Sequence, residues 1–166
     1  MGSVGDSGFF SASTHGKPMP FQGAVSDYDL AQLSPDGRWI AYESDESGRV
    51  EVYVREFSLG SGGKPEATGK HQISNGGGGD PQWRDDGKEL FYMTLDRRTV
   101  MSAEITTKPG FQSLPGKMLF QLPAVLLFVA PAVTGDGKRF LVAVPVGQSG
   151  LRQFTVVQNW QAELKK

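Results

Sequence analysis

The sequence predicts an all-β fold assembled from a repeated unit, and three observations carry that expectation. First, 22 glycines and 10 prolines stand among 166 residues. Inside a helix each would cost about 1 kcal/mol for Gly and about 3 kcal/mol for Pro, so a helical bundle is excluded. Second, three segments align: Leu33-Ser-Pro-Asp-Gly-Arg-Trp-Ile-Ala-Tyr42, Trp83-Arg-Asp-Asp-Gly-Lys-Glu-Leu-Phe-Tyr92 and Val133-Thr-Gly-Asp-Gly-Lys-Arg-Phe-Leu-Val142. Their Asp-Gly pairs fall at 36–37, 86–87 and 136–137, a spacing of 50 both times. Third, each pair is followed by a basic residue (Arg38, Lys88, Lys138) and then by a run rich in aromatic and branched side chains.

Each strand of the unit has its own reason. Asp-Gly between two apolar runs predicts a tight hairpin, because Gly accepts positive φ and Asp tolerates it. The runs Trp39–Tyr42, Leu90–Met93 and Phe140–Val144 are nearly continuous, as suits strands covered on both faces. The third strands, 51–57, 99–105 and 153–160, alternate more clearly, as strands nearer a rim do. A short fourth strand is expected at 71–74 and at 117–122. Four antiparallel strands repeated with a period near fifty predict the blade of a β-propeller. The blades are placed at about 28–75, 78–122 and 128–160, within a fragment spanning 17–166, and residues 1–16 stay unassigned.

Composition narrows the function classes. With 38% hydrophobic and 10% aromatic residues the chain is not a disordered one. No cysteine is present, which excludes disulfides, thiolate metal sites and a thiol nucleophile. Seventeen basic against eighteen acidic residues leave no electrostatic footprint for nucleic acid. The most apolar run, 122–133, is too short for a bilayer and holds two prolines, so no membrane partner is expected. The first residues hold no basic segment and no long apolar stretch, so no signal peptide is read and the chain as encoded is expected in the cytoplasm.

The residues also carry a family likeness. Leu33–Tyr42 looks like the core motif of TolB-like, WD-repeat-like propeller blades. The stretches 42–57, 72–79 and 81–92, and the ending Thr155-Val-Val-Gln-Asn-Trp160, resemble the C-terminal propeller region of bacterial serine/threonine protein kinases of acidobacterial type. The resemblance implies a propeller module, extracytoplasmic in its parent protein. It implies no kinase chemistry, because the catalytic-loop and metal-binding motifs of a kinase are absent from the sequence.

Propellers of that kind have six blades or more, and three are legible here. Half a ring would expose flat apolar faces and unpaired edges. The expectation is therefore a homodimer that closes a six-bladed ring, with residues 17–22 of each chain completing the partner's last blade by strand exchange.

Candidate chemistry is sparse. Gly5-Asp-Ser-Gly8 with His15 resembles a protease nucleophile motif, but a chain terminus does not hold a triad in register. Ser149 lies between two strands and reads as a turn. Gly76–Gly79 resembles a phosphate cradle without the helix that cradles use. Tyr53, Arg55 and Phe57 read either as a binding surface or as blade packing, the simpler account.

The carboxylates Asp27, Asp29 and Asp80 precede inner strands and would face the axis of a closed ring. Oxygen clusters of that kind suit calcium, and less readily zinc. The alternative is turn-forming Asp residues in solvated loops. Two functions follow. One is a non-enzymatic scaffold or ligand-sensing module, taking a small molecule or a protein in the channel mouth. The other is a metal-assisted hydrolase of esters, lactones or phosphotriesters, with Asp27, Asp29 and Asp80 as metal ligands and His71 as the candidate for proton transfer.

Overall fold

The computed structural model describes residues 9–11, 19–21, 31–122, 131–145 and 152–158. Two short strands, β1 (Phe9–Ser11) and β2 (Met19–Phe21), pair antiparallel with each other. The rest forms three antiparallel sheets in chain order, as the repeat requires.

The first sheet runs β3 (Ala31–Leu33), β4 (Trp39–Ser44), β5 (Glu51–Leu59), β6 (Pro65–Gln72), each hydrogen-bonded to the next. The second runs β7 (Gly79–Trp83), β8 (Glu89–Met93), β9 (Thr99–Thr106), with β10 (Gln112–Ser113) and β11 (Lys117–Gln121) both on β9. The third has three strands among the described residues, β12 (Ala132–Val133), β13 (Arg139–Pro145) and β14 (Arg152–Gln158). The result is an all-β partial propeller.

The second strands of the first two blades are buried throughout, as their apolar runs predict, whereas β13 buries Phe140 and Val142 and exposes Leu141, so the third run is covered on one face there and not on both. β9 alternates, but Glu51–Val54 of β5 is buried on both faces, so half of that strand lies deeper than a rim position. The fourth strand of the first blade starts at Pro65, earlier than expected, because it pairs with the whole outer half of β5.

One core lies between the first two blades, where Trp39, Ala41, Val52 and Val54 meet Trp83, Leu90, Tyr92 and Ala103. A second lies between the next two, where Phe91, Met93 and Val100 meet Phe140 and Val142. Glutamines fifty residues apart tie neighbouring blades. Gln32 Oε1 accepts from the Trp83 amide at 2.7 Å, and Gln82 Nε2 donates to the Pro131 carbonyl at 2.5 Å. These ties make the first strand of each blade its inner strand.

Antiparallel order then sorts the loops onto two ends. The turns after the inner strands (34–37, 84–87, 134–137) share one end. The turns after the second strands (45–48, 94–97) and the blade linker Ser74–Gly78 share the other.

The Asp-Gly turns differ in detail from the two-residue hairpin expected. Gly37, Gly87 and Gly137 take φ of +70°, +67° and +69°, whereas their aspartates are not left-handed. Each Gly amide donates to the carbonyl three residues back (Ser34, Arg84, Thr134), closing a four-residue turn. The Asp side chain accepts from the amide two residues on, as in Arg38 N to Asp36 Oδ1 at 3.1 Å. Aspartate is required here as an acceptor rather than for its backbone tolerance.

Candidate functional site at the mouth between the first two blades

The blade linker is built around an internal anion. Glu51 opens β5 and its side chain is buried. It accepts from the amides of Gly76 (3.1 Å) and Gly77 (2.9 Å), from Arg49 Nε (3.1 Å) and from the Ser74 hydroxyl. These donors hold its carboxyl below the usual range although burial pushes the other way. The Gly76–Gly79 run is thus an anion cradle, and its first two amides are taken by the chain's own glutamate. Gly77 must be glycine: its φ is +98°, and a Cβ would lie 2.5 Å from Leu95 Cδ1.

The linker delivers Asp80 to the start of β7 at a register shift. Asp80 is left-handed, φ +54°, although it precedes Pro81, and the residue before a proline prefers extended backbone. The bulge turns its side chain onto Arg97, whose NH1 lies 2.9 Å from Asp80 Oδ2. The Asp80 amide donates to Glu43 Oε1 at 2.5 Å. Arg97 is itself left-handed, φ +54°. Asp80 and Arg97 are the two non-glycine residues with positive φ among the described residues, and they are bonded to each other. A left-handed non-glycine residue costs roughly 1–2 kcal/mol, so this pairing is held against strain.

Arg97 owes its position to a turn of the same design as the Asp-Gly turns. Thr94 Oγ1 donates to Asp96 Oδ1 (2.6 Å), the Arg98 amide to Asp96 Oδ1 (3.0 Å), and the Arg97 amide to the Thr94 carbonyl (2.8 Å). Arg97 fills the glycine slot.

Glu43, Asp80, Arg97, Val50, Thr94 and Leu95 line a cavity of about 280 Å³ at this mouth. The side chain of Asp80 is 3% exposed and that of Arg97 33%; Glu43 as a residue is 3% exposed. Burial pushes the Glu43 carboxyl up, helped by the charge of Asp80 and opposed by the Asp80 amide and Arg97. Burial also pushes Asp80 up, against the pull of Arg97. Desolvation thus outweighs pairing at both carboxyls.

The sequence-predicted residues fare differently. Asp80 lies in this cavity. Asp27 and Asp29 lie outside the described residues, as do the Gly5–Gly8 motif, His15 and Ser149. His71 is on the outer strand of the first blade, stacked on Phe111 with centroids 4.3 Å apart and edge-on to Trp39. Tyr53 is buried against Tyr42 at 5.8 Å, Arg55 donates to the Gly69 carbonyl at 3.0 Å, and Phe57 pairs with Ala67 along β5 and β6, which is blade packing. Among the described residues no three His, Asp or Glu side chains are grouped to hold a metal ion, and no helix is long and apolar enough to cross a membrane.

TolB from Acinetobacter baumannii superposes with a TM-score of 0.60 at 17% identity, over 91% of this chain and 37% of that one. The fold is a TolB-like β-propeller. A Bacteroides uniformis protein solved as a candidate 6-phosphogluconolactonase matches with a TM-score of 0.50 at 16% identity, over 90% of this chain and 47% of that one. Dipeptidyl aminopeptidase BI from Pseudoxanthomonas mexicana is 32% identical over 81 residues, 49% of this chain and 10% of that protein. No protein-family profile matches the chain. The chain therefore spans a tenth of the curated relative and less than half of each of these solved propellers.

Proposed function

We propose that the chain is a non-enzymatic propeller module, a scaffold that senses or holds a ligand at the mouth between its first two blades. One observation carries this reading: the Asp80 carboxylate is committed to a guanidinium at 2.9 Å, and Glu43 to the Asp80 amide. A carboxylate so engaged orients and recognises, whereas a catalytic metal requires free oxygen ligands and an open coordination position. The propeller part of a larger kinase-associated protein is a natural setting for such a module.

The alternative is a metal-assisted hydrolase using Asp80, with Asp27 and Asp29 brought beside it. It draws on the fact that Asp80 and Glu43 are two buried carboxyls at one cavity. Ester, lactone and phosphotriester substrates, assayed with and without a chelator and with Asp80→Asn, separate the two. The scaffold reading expects no turnover. Turnover abolished by both the chelator and the substitution would replace it with the hydrolase.

The same module closes its ring with a second copy, by residues 17–22 of one chain against the partner's last blade. Light scattering is expected to give twice the chain mass, and a stable monomer would reject this closure.

A further inference from the structure

We infer that Asn75-Gly76, in the linker between the first two blades, is a site of covalent self-modification, at which the asparagine loses its amide as ammonia and becomes aspartate or isoaspartate. The inference goes beyond the ligand reading of the mouth and stands without it.

The local structure leaves this dipeptide open to the reaction. Asn75 is exposed, and its side-chain amide has no hydrogen-bond partner among the described residues. Gly76 is exposed too, with φ at +112°, and a Cβ there would meet nothing within 4 Å. A glycine after asparagine puts no side chain over its own nitrogen and allows backbone angles that a substituted residue avoids. The other asparagine of the sequence, Asn159, is followed by the bulky Trp160.

The step balances with water as the one co-reactant. The Gly76 nitrogen, giving up its proton, attacks Asn75 Cγ. An N–C bond forms, the bond from Cγ to the amide nitrogen breaks, and that nitrogen leaves as ammonia with the proton. Water then opens the succinimide ring. Breaking the new bond gives aspartate, and breaking the original peptide bond gives isoaspartate, whose main chain runs through Cβ and Cγ. Nothing is oxidised or reduced.

Glu51 sets the pace. The Gly76 N–H donates to its Oε1 at 3.1 Å, an oxygen that also takes the Gly77 amide at 2.9 Å and Arg49 Nε at 3.1 Å. Held beside that carboxylate, the nitrogen keeps its proton. Reaction therefore starts from a local opening of the linker that frees the Gly76 amide.

The three Asp-Gly pairs share the dipeptide design but not the exposure to attack. The amides of Gly37, Gly87 and Gly137 donate to carbonyls at 2.8, 2.8 and 2.7 Å. Asp36 and Asp136 accept from the hydroxyls of Ser34 and Thr134, and Asp86 from Arg84. Those bonds keep the carboxyls ionised, and an ionised carboxylate has no leaving group for a nitrogen to displace.

The products disturb the linker. Aspartate sets a second carboxylate near buried Glu51. Isoaspartate lengthens the main chain just before Gly77 and Gly78, where added Cβ atoms would lie 2.5 Å from Leu95 Cδ1 and 2.7 Å from Ser74 Cβ. Either change weakens the hold of the Gly76 and Gly77 amides on Glu51, so the modified chain is expected to melt at a lower temperature.

The test ages the full chain at alkaline pH, digests it with trypsin and follows the fragments by chromatography and mass. Fragment 71–84 carries Asn75 and fragment 153–165 carries Asn159. The first is expected to gain the mass difference between an amide and an acid and to split into two peaks. The second, and the fragments with the Asp-Gly pairs, are expected to stay as they are over the same period. Asn75→Gln should abolish the gain in 71–84. A synthetic peptide of residues 71–79, which has no Glu51, should convert about tenfold faster than the folded chain, as a local opening equilibrium implies. No gain in 71–84 while the peptide converts, earlier change at Asn159 or at an Asp-Gly pair, or equal rates in chain and peptide would overturn the inference. None of these outcomes bears on ligand binding or turnover, which test the scaffold reading separately.

Discussion

The two ends of the blade stack use one turn design for opposite purposes. At one end Ser34 and Thr134 donate to Asp36 and Asp136, and Arg84 replaces the hydroxyl by gripping Asp86 with two nitrogens. Glycine takes the left-handed slot each time, the bonds to these aspartates are local, and the aspartates are exposed. Their carboxyls are held below the usual range, first by that side-chain hydrogen bond. At the other end Thr94 and Asp96 rebuild the same circuit, but Arg97 sits in the glycine slot and reaches across to Asp80. Its neighbours Glu43 and Asp80 are buried, and their carboxyls are pushed up. The comparison teaches that the first end is a fold device, whereas the second carries strain and buried charge that a fold device does not need.

The largest expected effect lies at the mouth. Glu51→Ala strands the amides of Gly76 and Gly77 and the Ser74 hydroxyl, and should lower stability by about 3 kcal/mol in urea denaturation. Arg97→Ala leaves Asp80 buried without its cation. Breaking a buried pair costs about 3–5 kcal/mol, and because the guanidinium is one-third exposed, about 2 kcal/mol is expected. A cost no larger than that of Asp36→Asn in either case would erase the distinction between the two ends.

A smaller effect separates strain from pairing. Gly37→Ala should destabilise by about 1 kcal/mol, since alanine is strained at φ +70°. Arg97→Gly should do the reverse, by about the same amount, once Asp80→Asn has removed the ion pair's charge. The same sign for both would mean that Arg97 is not strained.

The smallest effect is in the pH profile, where the two ends have opposite signs. Glu43 binds its proton more tightly folded than unfolded. Its contribution is therefore complete below the ordinary 4.5 and is lost as pH rises through the raised value. Asp36 binds its proton less tightly when folded. Its contribution is complete above the ordinary 3.8 and is lost as pH falls through the lowered value. Glu43→Gln should flatten the loss of stability on raising pH above 4.5, and Asp36→Asn should flatten the loss below 3.8. Thermal melts across that range check both.

Much of the architecture was legible in the sequence. The fifty-residue spacing placed the three inner turns, and the continuous apolar runs placed the buried second strands of the first two blades but not the one-sided burial of β13. The mouth was legible only through Asp80 and the glycine run. Glu51 and Glu43 join the site across 25 and 37 residues of chain, to Gly76 and Asp80, and no local periodicity encodes such a meeting. One signal was present: Thr94-Leu-Asp-Arg-Arg98 repeats the hydroxyl-x-Asp pattern of Ser34 and Thr134 with arginine where glycine belongs. A lone Glu43 inside the buried run of β4 was a second, because a charge there requires a partner.

The most direct test of the strained, buried-charge mouth is a crystal structure of the full chain. Asp80 and Arg97 are expected to be paired and both left-handed, with the Asp80 amide donating to Glu43. A metal ion held by Asp80, with Arg97 displaced from it, would contradict the account.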